Sequence, residues 1–334
     1  MKAAVIAFSE KGISTSAAIA AALEGDGCQC SFERCASGGL AEWTEQNFNS
    51  CDALIFVSSV GIAVRAVSTY IQSKLTDPAV IVVDECANWV IPVLSGHIGG
   101  ANKLAERLAA MMGATAVITT ATDINCLFAV DVWAKKNGFV IANPQKIKTV
   151  SSKLLAGKKI RLKSDFPVDI DAELVSQIET VDNDFDVVVS IKRQSGDALW
   201  LIPERLVLGV GCRKNTKAKN IASAFNALCS RADIDERALW RVASIDVKAD
   251  EQGLIDFCHD CSVTPMFFSA QQLNEIKGDF SHSDFVFDTV GVDNVCERAA
   301  MAAGGDLLIE KKLAIDGVTV AAAVQNERIT ITLD

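Results

Sequence analysis

The groups that acid–base chemistry needs are concentrated in one segment, Ser95-Gly96-His97-Ile98-Gly99-Gly100-Ala101-Asn102. It sets His97, one of three histidines, in a polar loop beside three glycines. An imidazole changes charge near neutral pH and can give or take a proton during a reaction. Glycine has no Cβ, so backbone amides can come close to a ligand. His97 therefore reads as a general acid or base; the plainer reading is a histidine that caps its own loop. Asp84 and Glu85, at the tip of the preceding apolar hairpin, are the carboxylates that could orient it.

Three further segments end an apolar run on polar residues. In Val57-Ser58-Ser59-Val60-Gly61-Ile62-Ala63-Val64-Arg65 a strand gives way to a helix. The free amides of that helix start, with Arg65, could take a carboxylate. The glycine spacing of a dinucleotide site is absent, and an ordinary strand-to-helix turn is the alternative. Thr119-Thr120-Ala121-Thr122-Asp123 offers hydroxyls and a carboxylate to a polar ligand, or caps the next helix. Gly209-Val210-Gly211-Cys212-Arg213-Lys214-Asn215-Thr216 sets a glycine-rich strand end before two cations and a helix, a cradle for an anion. Cys212 is either a thiol made acidic by Arg213 and Lys214 or a packing residue. Cys258-His259-Asp260-Cys261 is a lone cysteine pair and a poor zinc signal, because a tetrahedral site needs four ligands. His282 has no evident partner.

The elements that must position these segments alternate. Residues 3–8, 53–58 and 116–119 read as strands, 80–84 with 89–94 as a hairpin, and 14–23 and 100–112 as helices. Beyond residue 203, strands at 206–210, 241–245, 264–268, 307–309 and 318–324 alternate with helices at 217–228, 254–258 and 295–303. This pattern predicts an α/β chain: two open, mostly parallel α/β domains, 1–127 and 206–334, joined by a smaller middle α/β unit, 128–205. The middle is bipolar. Residues 132–164 hold nine Lys and Arg with no acid, and 165–186 hold eight Asp and Glu with no base. The two halves either pair with each other and face water, or the basic half presents cations to an anionic ligand.

The chain has 334 residues, enough for two or three domains. With 50% hydrophobic and 22% charged residues it is not a disordered chain. A net charge of −10 argues against nucleic acid and anionic membranes as partners. No apolar run reaches the roughly 18–20 residues of a membrane span, and no secretory leader is visible. Eleven scattered cysteines then point to reduced thiols in a cytoplasmic protein.

The motifs also carry a family resemblance. Gly61-Ile62-Ala63-Val64-Arg65, Thr76-Asp77-Pro78-Ala79-Val80, the loop from Ser95 to Asn102 and Thr119-Thr120-Ala121-Thr122-Asp123 resemble the amino-terminal region of the CbiG family of cobalamin biosynthesis, the cobalt-precorrin-5A hydrolases. Gly209-Val210-Gly211-Cys212-Arg213-Lys214, Thr289-Val290-Gly291-Val292-Asp293, Cys296-Glu297 and Gly317-Val318-Thr319-Val320-Ala321 resemble its carboxy-terminal domain. The resemblance covers essentially the whole chain and is weakest in the middle. It departs at Ala66-Val67-Ser68-Thr69, Cys86-Ala87-Asn88 and Asn215.

The resemblance implies an enzyme that opens a δ-lactone on a cobalt-bearing tetrapyrrole and expels the methylated meso carbon as acetaldehyde, leaving cobalt-precorrin-5B. It implies no cofactor and no protein metal site, since the cobalt arrives on the substrate. The implied partners are that tetrapyrrole and other enzymes of the pathway. On it rest the expected roles: His97 and Glu85 catalytic, and the Gly96, Gly99 and Gly100 amides as oxyanion donors. Arg65, Arg213 and Lys214 would hold rim carboxylates, and Gly61, Ser95, Asn102, Thr120 and Asp123 would line the substrate. Two other classes compete. A non-catalytic tetrapyrrole carrier would need the cationic loops but not His97. A nucleotide-binding transferase is disfavoured by the missing glycine fingerprints.

Overall fold

A computed structural model describes residues 1–73, 76–97 and 99–333. Ile98 of the glycine loop lies outside the described residues, as do Lys74, Leu75 and Asp334. The chain divides into two compact units, 1–132 and 133–334.

The first unit runs β1 (Lys2–Ala7), α1 (Glu10–Gly25), β2 (Gln29–Arg34), α2 (Leu40–Phe48), β3 (Ala53–Val57), α3 (Val60–Val67), β4 (Ala79–Val83), β5 (Trp89–Leu94), α4 (Ala101–Met112), β6 (Thr115–Ala116) and α5 (Ala121–Ile124). Helix α6 (Val130–Lys136) begins in this unit and ends in the next. The sheet order is β2-β1-β3-β4-β5-β6. Strands β1 to β4 are parallel, β5 returns antiparallel to β4, and β6 follows β5. β6 is shorter than the strand expected at 116–119, pairing with β5 only at Thr115 and Ala116.

Both faces of this sheet are covered, so its central strands are apolar at successive positions. Val5, Ile55 and Ile81 pack with Ile19 and Leu23 of α1 and Leu104 and Leu108 of α4. Their neighbours Ile6, Phe56 and Val82 point the other way, against Trp43 and Phe48 of α2 and Ala63 and Val67 of α3. The result is three layers, helix on sheet on helix.

The second unit opens with β7 (Phe139–Ile141), α7 (Ile147–Leu155), β8 (Ile160–Ser164), β9 (Val168–Ile170), β10 (Ile178–Thr180), β11 (Val187–Val189) and β12 (Leu199–Pro203). It continues through β13 (Leu206–Cys212), α8 (Ala218–Ala232), β14 (Leu239–Ile245), α9 (Gln252–Asp260), β15 (Pro265–Phe268), α10 (Ala270–Glu275), α11 (Asp284–Val290), α12 (Val295–Ala302), β16 (Leu307–Ile315), β17 (Val318–Val324) and β18 (Ile329–Ile331). Two five-stranded sheets form, β10-β8-β11-β12-β7 and β15-β14-β13-β17-β16. Each is parallel except at one side. The middle region and the carboxy-terminal region lie in one compact unit. β18 returns to pair with β9, and the Trp133 indole N–H donates to the Thr330 carbonyl at 3.0 Å.

The two oppositely charged stretches of the middle region pair with each other. Lys153 meets Asp186 at 2.5 Å, and Arg161 meets Asp184. Lys146 meets Asp197, just beyond the acidic stretch, at 2.8 Å. Among the described residues no helix is long and apolar enough to cross a membrane.

The glycines of β13 serve packing rather than a ligand. A Cβ on Gly209 would run into the Cys296 carbonyl of α12, and one on Gly211 would stand 2.5 Å from the Thr319 hydroxyl of β17. Beside them, the fully buried Glu297 of α12 fastens the loop at Ser281 to strand β16. Its carboxylate accepts from the Ser281 amide at 2.9 Å, the Ser281 hydroxyl at 2.7 Å and the Lys312 amide at 2.8 Å. Burial alone would push this carboxyl up, but those bonds outweigh it and hold it below the usual carboxylate range. A depressed native value means stability that is full above the unfolded value, about 4.3, and lost as pH falls through the native one. Glu297→Gln is expected to destabilise the protein at neutral pH by roughly 1.5–3 kcal/mol, because one oxygen becomes a donor facing donors. Urea unfolding at pH 7 and at pH 4 checks this: the gap between wild type and variant narrows in acid.

Candidate active site

β5 delivers the glycine loop to the end of the sheet where β4 begins, because the two strands are antiparallel. Ser95 is fixed there with φ +59° and donates its hydroxyl to the Asp77 carbonyl at 2.9 Å. The buried Asp77 carboxylate accepts from the Gln72 and Ser73 amides at 3.0 to 3.2 Å. The loop then folds onto the start of α4. The amides of Gly100, Ala101 and Asn102 donate to the carbonyls of His97, Ser95 and Gly96 at 2.8, 3.1 and 3.0 Å.

Gly96 and Gly99 are glycines because nothing larger fits. A Cβ on Gly96 would stand 2.8 Å from Asn102 Oδ1, and one on Gly99 would overlap the Ser95 side chain. Asn102 reaches across to the segment after β6: its Nδ2 donates to Thr120 Oγ1 at 2.9 Å and to Asp123 Oδ2.

His97 faces this same cluster. Its Nε2 lies 2.9 Å from Thr122 Oγ1 and 3.3 Å from Asp123 Oδ2. Its Nδ1 lies 3.9 Å from Asp131 Oδ2. The imidazole is 21% exposed, Asp123 33% and Asp131 6%, so Asp123 is the open side of the group and Asp131 its floor. Of the expected residues, the structure therefore brings together Ser95, Gly96, His97, Gly99, Gly100, Asn102, Thr120 and Asp123. It adds Thr122, from the hydroxyl segment already singled out, Asp77, and Asp131, which the residue reading passed over. The Gly100 amide is taken by the His97 carbonyl, which removes it from the expected oxyanion donors. The Gly96 and Gly99 amides have no protein acceptor among the described residues.

The expected pairing of His97 with Glu85 does not form. Glu85 sits at the hairpin tip, His97 beyond its open end. The six residues of β5, five steps of about 3.4 Å, put about 17 Å between them. Glu85 instead accepts from the Ser9 hydroxyl at 2.7 Å, while Thr15 donates to its carbonyl at 2.8 Å. Asp84 braces the turn, accepting from the Trp89 amide at 2.7 Å and from Asn88 Nδ2 at 3.0 Å. Gly61, in the first turn of α3, follows β3 and so belongs to Glu85's edge of the sheet, with open space around it. Arg65, one turn further on, is exposed and has no carboxylate partner among the described residues.

In the second unit Arg213 and Lys214 follow β13, exposed and unpaired among the described residues. The Arg213 amide donates to the Gly317 carbonyl at 3.2 Å, and Thr216 Oγ1 donates to the Arg213 carbonyl at 2.7 Å. Cys212 is not made acidic by them: burial pushes its thiol up, against a smaller pull from Lys248. Cys258 is likewise a core residue, pushed up by burial to about 12. His282 does have partners. Its Nε2 lies 2.8 Å from Asp284 and its Nδ1 3.5 Å from Asp293, and these bonds raise it above the ordinary histidine value.

A histidine between carboxylates, in a glycine-lined loop at strand ends, defines an α/β protein equipped for acid–base work on a bound ligand. Residues 42–123 match the family model for the cobalamin synthesis G N-terminal region, 128–203 the cobalamin biosynthesis central region and 206–323 the cobalamin synthesis G C-terminus. The chain is 36% identical over 307 residues to the cobalt-precorrin-5A hydrolase of Salmonella typhimurium, covering 86% of each chain. It is 30% identical over 309 residues to that of Priestia megaterium, covering 86% of this chain and 82% of the other. A solved cobalamin biosynthesis protein G homolog from Sulfolobus solfataricus matches at 24% identity and a TM-score of 0.41, covering 98% of this chain and 97% of that one. The chain belongs to the CbiG family.

Asn102→Ala would release Thr120 and Asp123 together. It is expected to cost about 1–3 kcal/mol of stability by denaturant unfolding, in line with losing a partner to half-buried polar groups.

Proposed function

We infer that this chain hydrolyses cobalt-precorrin-5A, opening its δ-lactone and releasing acetaldehyde to leave cobalt-precorrin-5B. The observation that carries this is similarity to curated enzymes of that name along 86% of both chains, with all three family regions present. The cobalt enters as part of the substrate. Eleven free thiols and a pathway substrate suit an enzyme working in the cytoplasm beside the others of its pathway.

The chemistry divides among groups already described. A water molecule attacks the lactone acyl carbon, and His97 takes its proton at Nε2, the nitrogen on the Asp123 side. The Gly96 and Gly99 amides supply donors for the tetrahedral oxyanion. His97 then returns the proton to the departing ring oxygen. The carbon–carbon cleavage that follows uses the conjugated macrocycle as electron sink. Asp123, held by Asn102, takes the place at His97 that Glu85 was expected to fill. Arg213 and Lys214 hold carboxylates of the substrate rim. Arg65 and Gly61 offer a second anion-binding place, at the other edge of the first sheet.

The test is anaerobic incubation with enzymatically prepared cobalt-precorrin-5A, trapping volatile aldehyde and following the corrinoid mass. Acetaldehyde with the matching mass loss is expected. Binding without aldehyde would move the protein to the carrier class. His97→Ala is expected to cut turnover by ~10²–10⁴. Arg213→Ala with Lys214→Ala is expected to raise KM with little change in kcat, as loss of uniform binding does.

A further inference from the structure

We propose that Asp131 is the positioning residue for His97: it keeps the ring proton on Nδ1, so that Nε2 is the atom that accepts a proton in the reaction. The proposal rests on the reading of His97 as the acid–base group.

Asp131 is the second residue of α6, where the helix start favours a carboxylate. Its sequence neighbours Phe128, Val130, Trp133 and Ala134 are buried, and its own side chain is 6% exposed. A buried carboxylate must be hydrogen-bonded or paired. One oxygen, Oδ1, accepts from the Val132 amide at 3.1 Å. The other, Oδ2, points to His97 Nδ1 at 3.9 Å, and no Lys or Arg among the described residues pairs with it. That separation is longer than a hydrogen bond, as such contacts often are before substrate binds.

A neutral imidazole has one N–H and two places to put it. Asp131 lies on the Nδ1 side. On the Nε2 side stand the Thr122 hydroxyl at 2.9 Å, which can donate, and the Asp123 carboxylate at 3.3 Å, which can only accept. With the proton on Nδ1, Nδ1–H faces the buried Asp131, the Thr122 hydroxyl donates to Nε2, and Asp123, a third exposed, keeps its bond from Asn102. With the proton on Nε2, Asp123 gains but the bare Nδ1 lone pair faces the buried Asp131 carboxylate. Asp131 therefore decides which tautomer the loop holds. Without it, Asp123 draws the proton to Nε2 and the ring can no longer accept one on the substrate side.

Three measurements test this. Nitrogen-15 NMR of histidine-labelled wild-type protein, at a pH where the His97 ring is neutral, should show the Nδ1–H form, with His97→Gln identifying the signal. Asp131→Asn should shift that signal to the Nε2–H form. It should also lower kcat ~100-fold or more with little change in KM, as removal of an orienting carboxylate does elsewhere. Asp131→Glu should recover part of the rate. A wild-type ring protonated on Nε2 overturns the proposal, even if the Asn variant does not fold. So does a folded Asn variant with unchanged kcat. Wild-type protein that makes no acetaldehyde defeats the hydrolase reading instead, while the NMR result still judges the tautomer on its own.

Discussion

The antiparallel return of β5 against β4 decides where every reactive side chain of the first unit can stand. Four strands before it run one way, and their loops, carrying Ser9, Gly61 and Glu85, gather at one edge. β5 turns back and carries Ser95 to Asn102 to the opposite edge, where β6 then leads Thr120, Thr122 and Asp123 alongside. Had β5 continued the parallel order after a crossover helix, His97 would share an edge with Glu85. As the chain runs, its carboxylates are Asp123 and Asp131.

Holding a polar loop at a sheet edge takes more than glycine. Ser95, Gly96 and His97 give their carbonyls to the first amides of α4, so the loop closes on itself as well as on a helix start. Buried acids finish the attachment. Asp77 gathers the amides of Gln72 and Ser73 while its carbonyl takes the Ser95 hydroxyl. Glu297 does the same in the second unit for Ser281 and Lys312. In both places one carboxylate satisfies several donors that would otherwise be stranded away from water.

Much of this was legible in the residues. The central strands declare themselves because both faces are buried, which makes 53–57 and 79–83 continuously apolar. β2 was not legible, because it is an edge strand whose residues are mostly exposed and form no apolar run. The glycine loop and Asp123 were found by type and spacing. The Glu85 pairing failed on geometry that the hairpin already contained, since a turn and the strand's far end cannot meet. Asp131 left no signal: an acid early in a short helix resembles any solvated residue until the fold buries it. The glycines of β13 looked like a ligand cradle, and nothing local in the sequence announces that α12, nearly ninety residues later, packs against them.

The pairing of β18 with β9 sets an order of events during synthesis. β9 emerges from the ribosome roughly 160 residues before its partner. At about 5–20 residues per second, its ladder waits about 8–30 s for completion. Through that interval the β9 edge and the Trp133 indole N–H still await β18 and stay open to other chains, so nascent second units are the form of this protein most in need of chaperone protection.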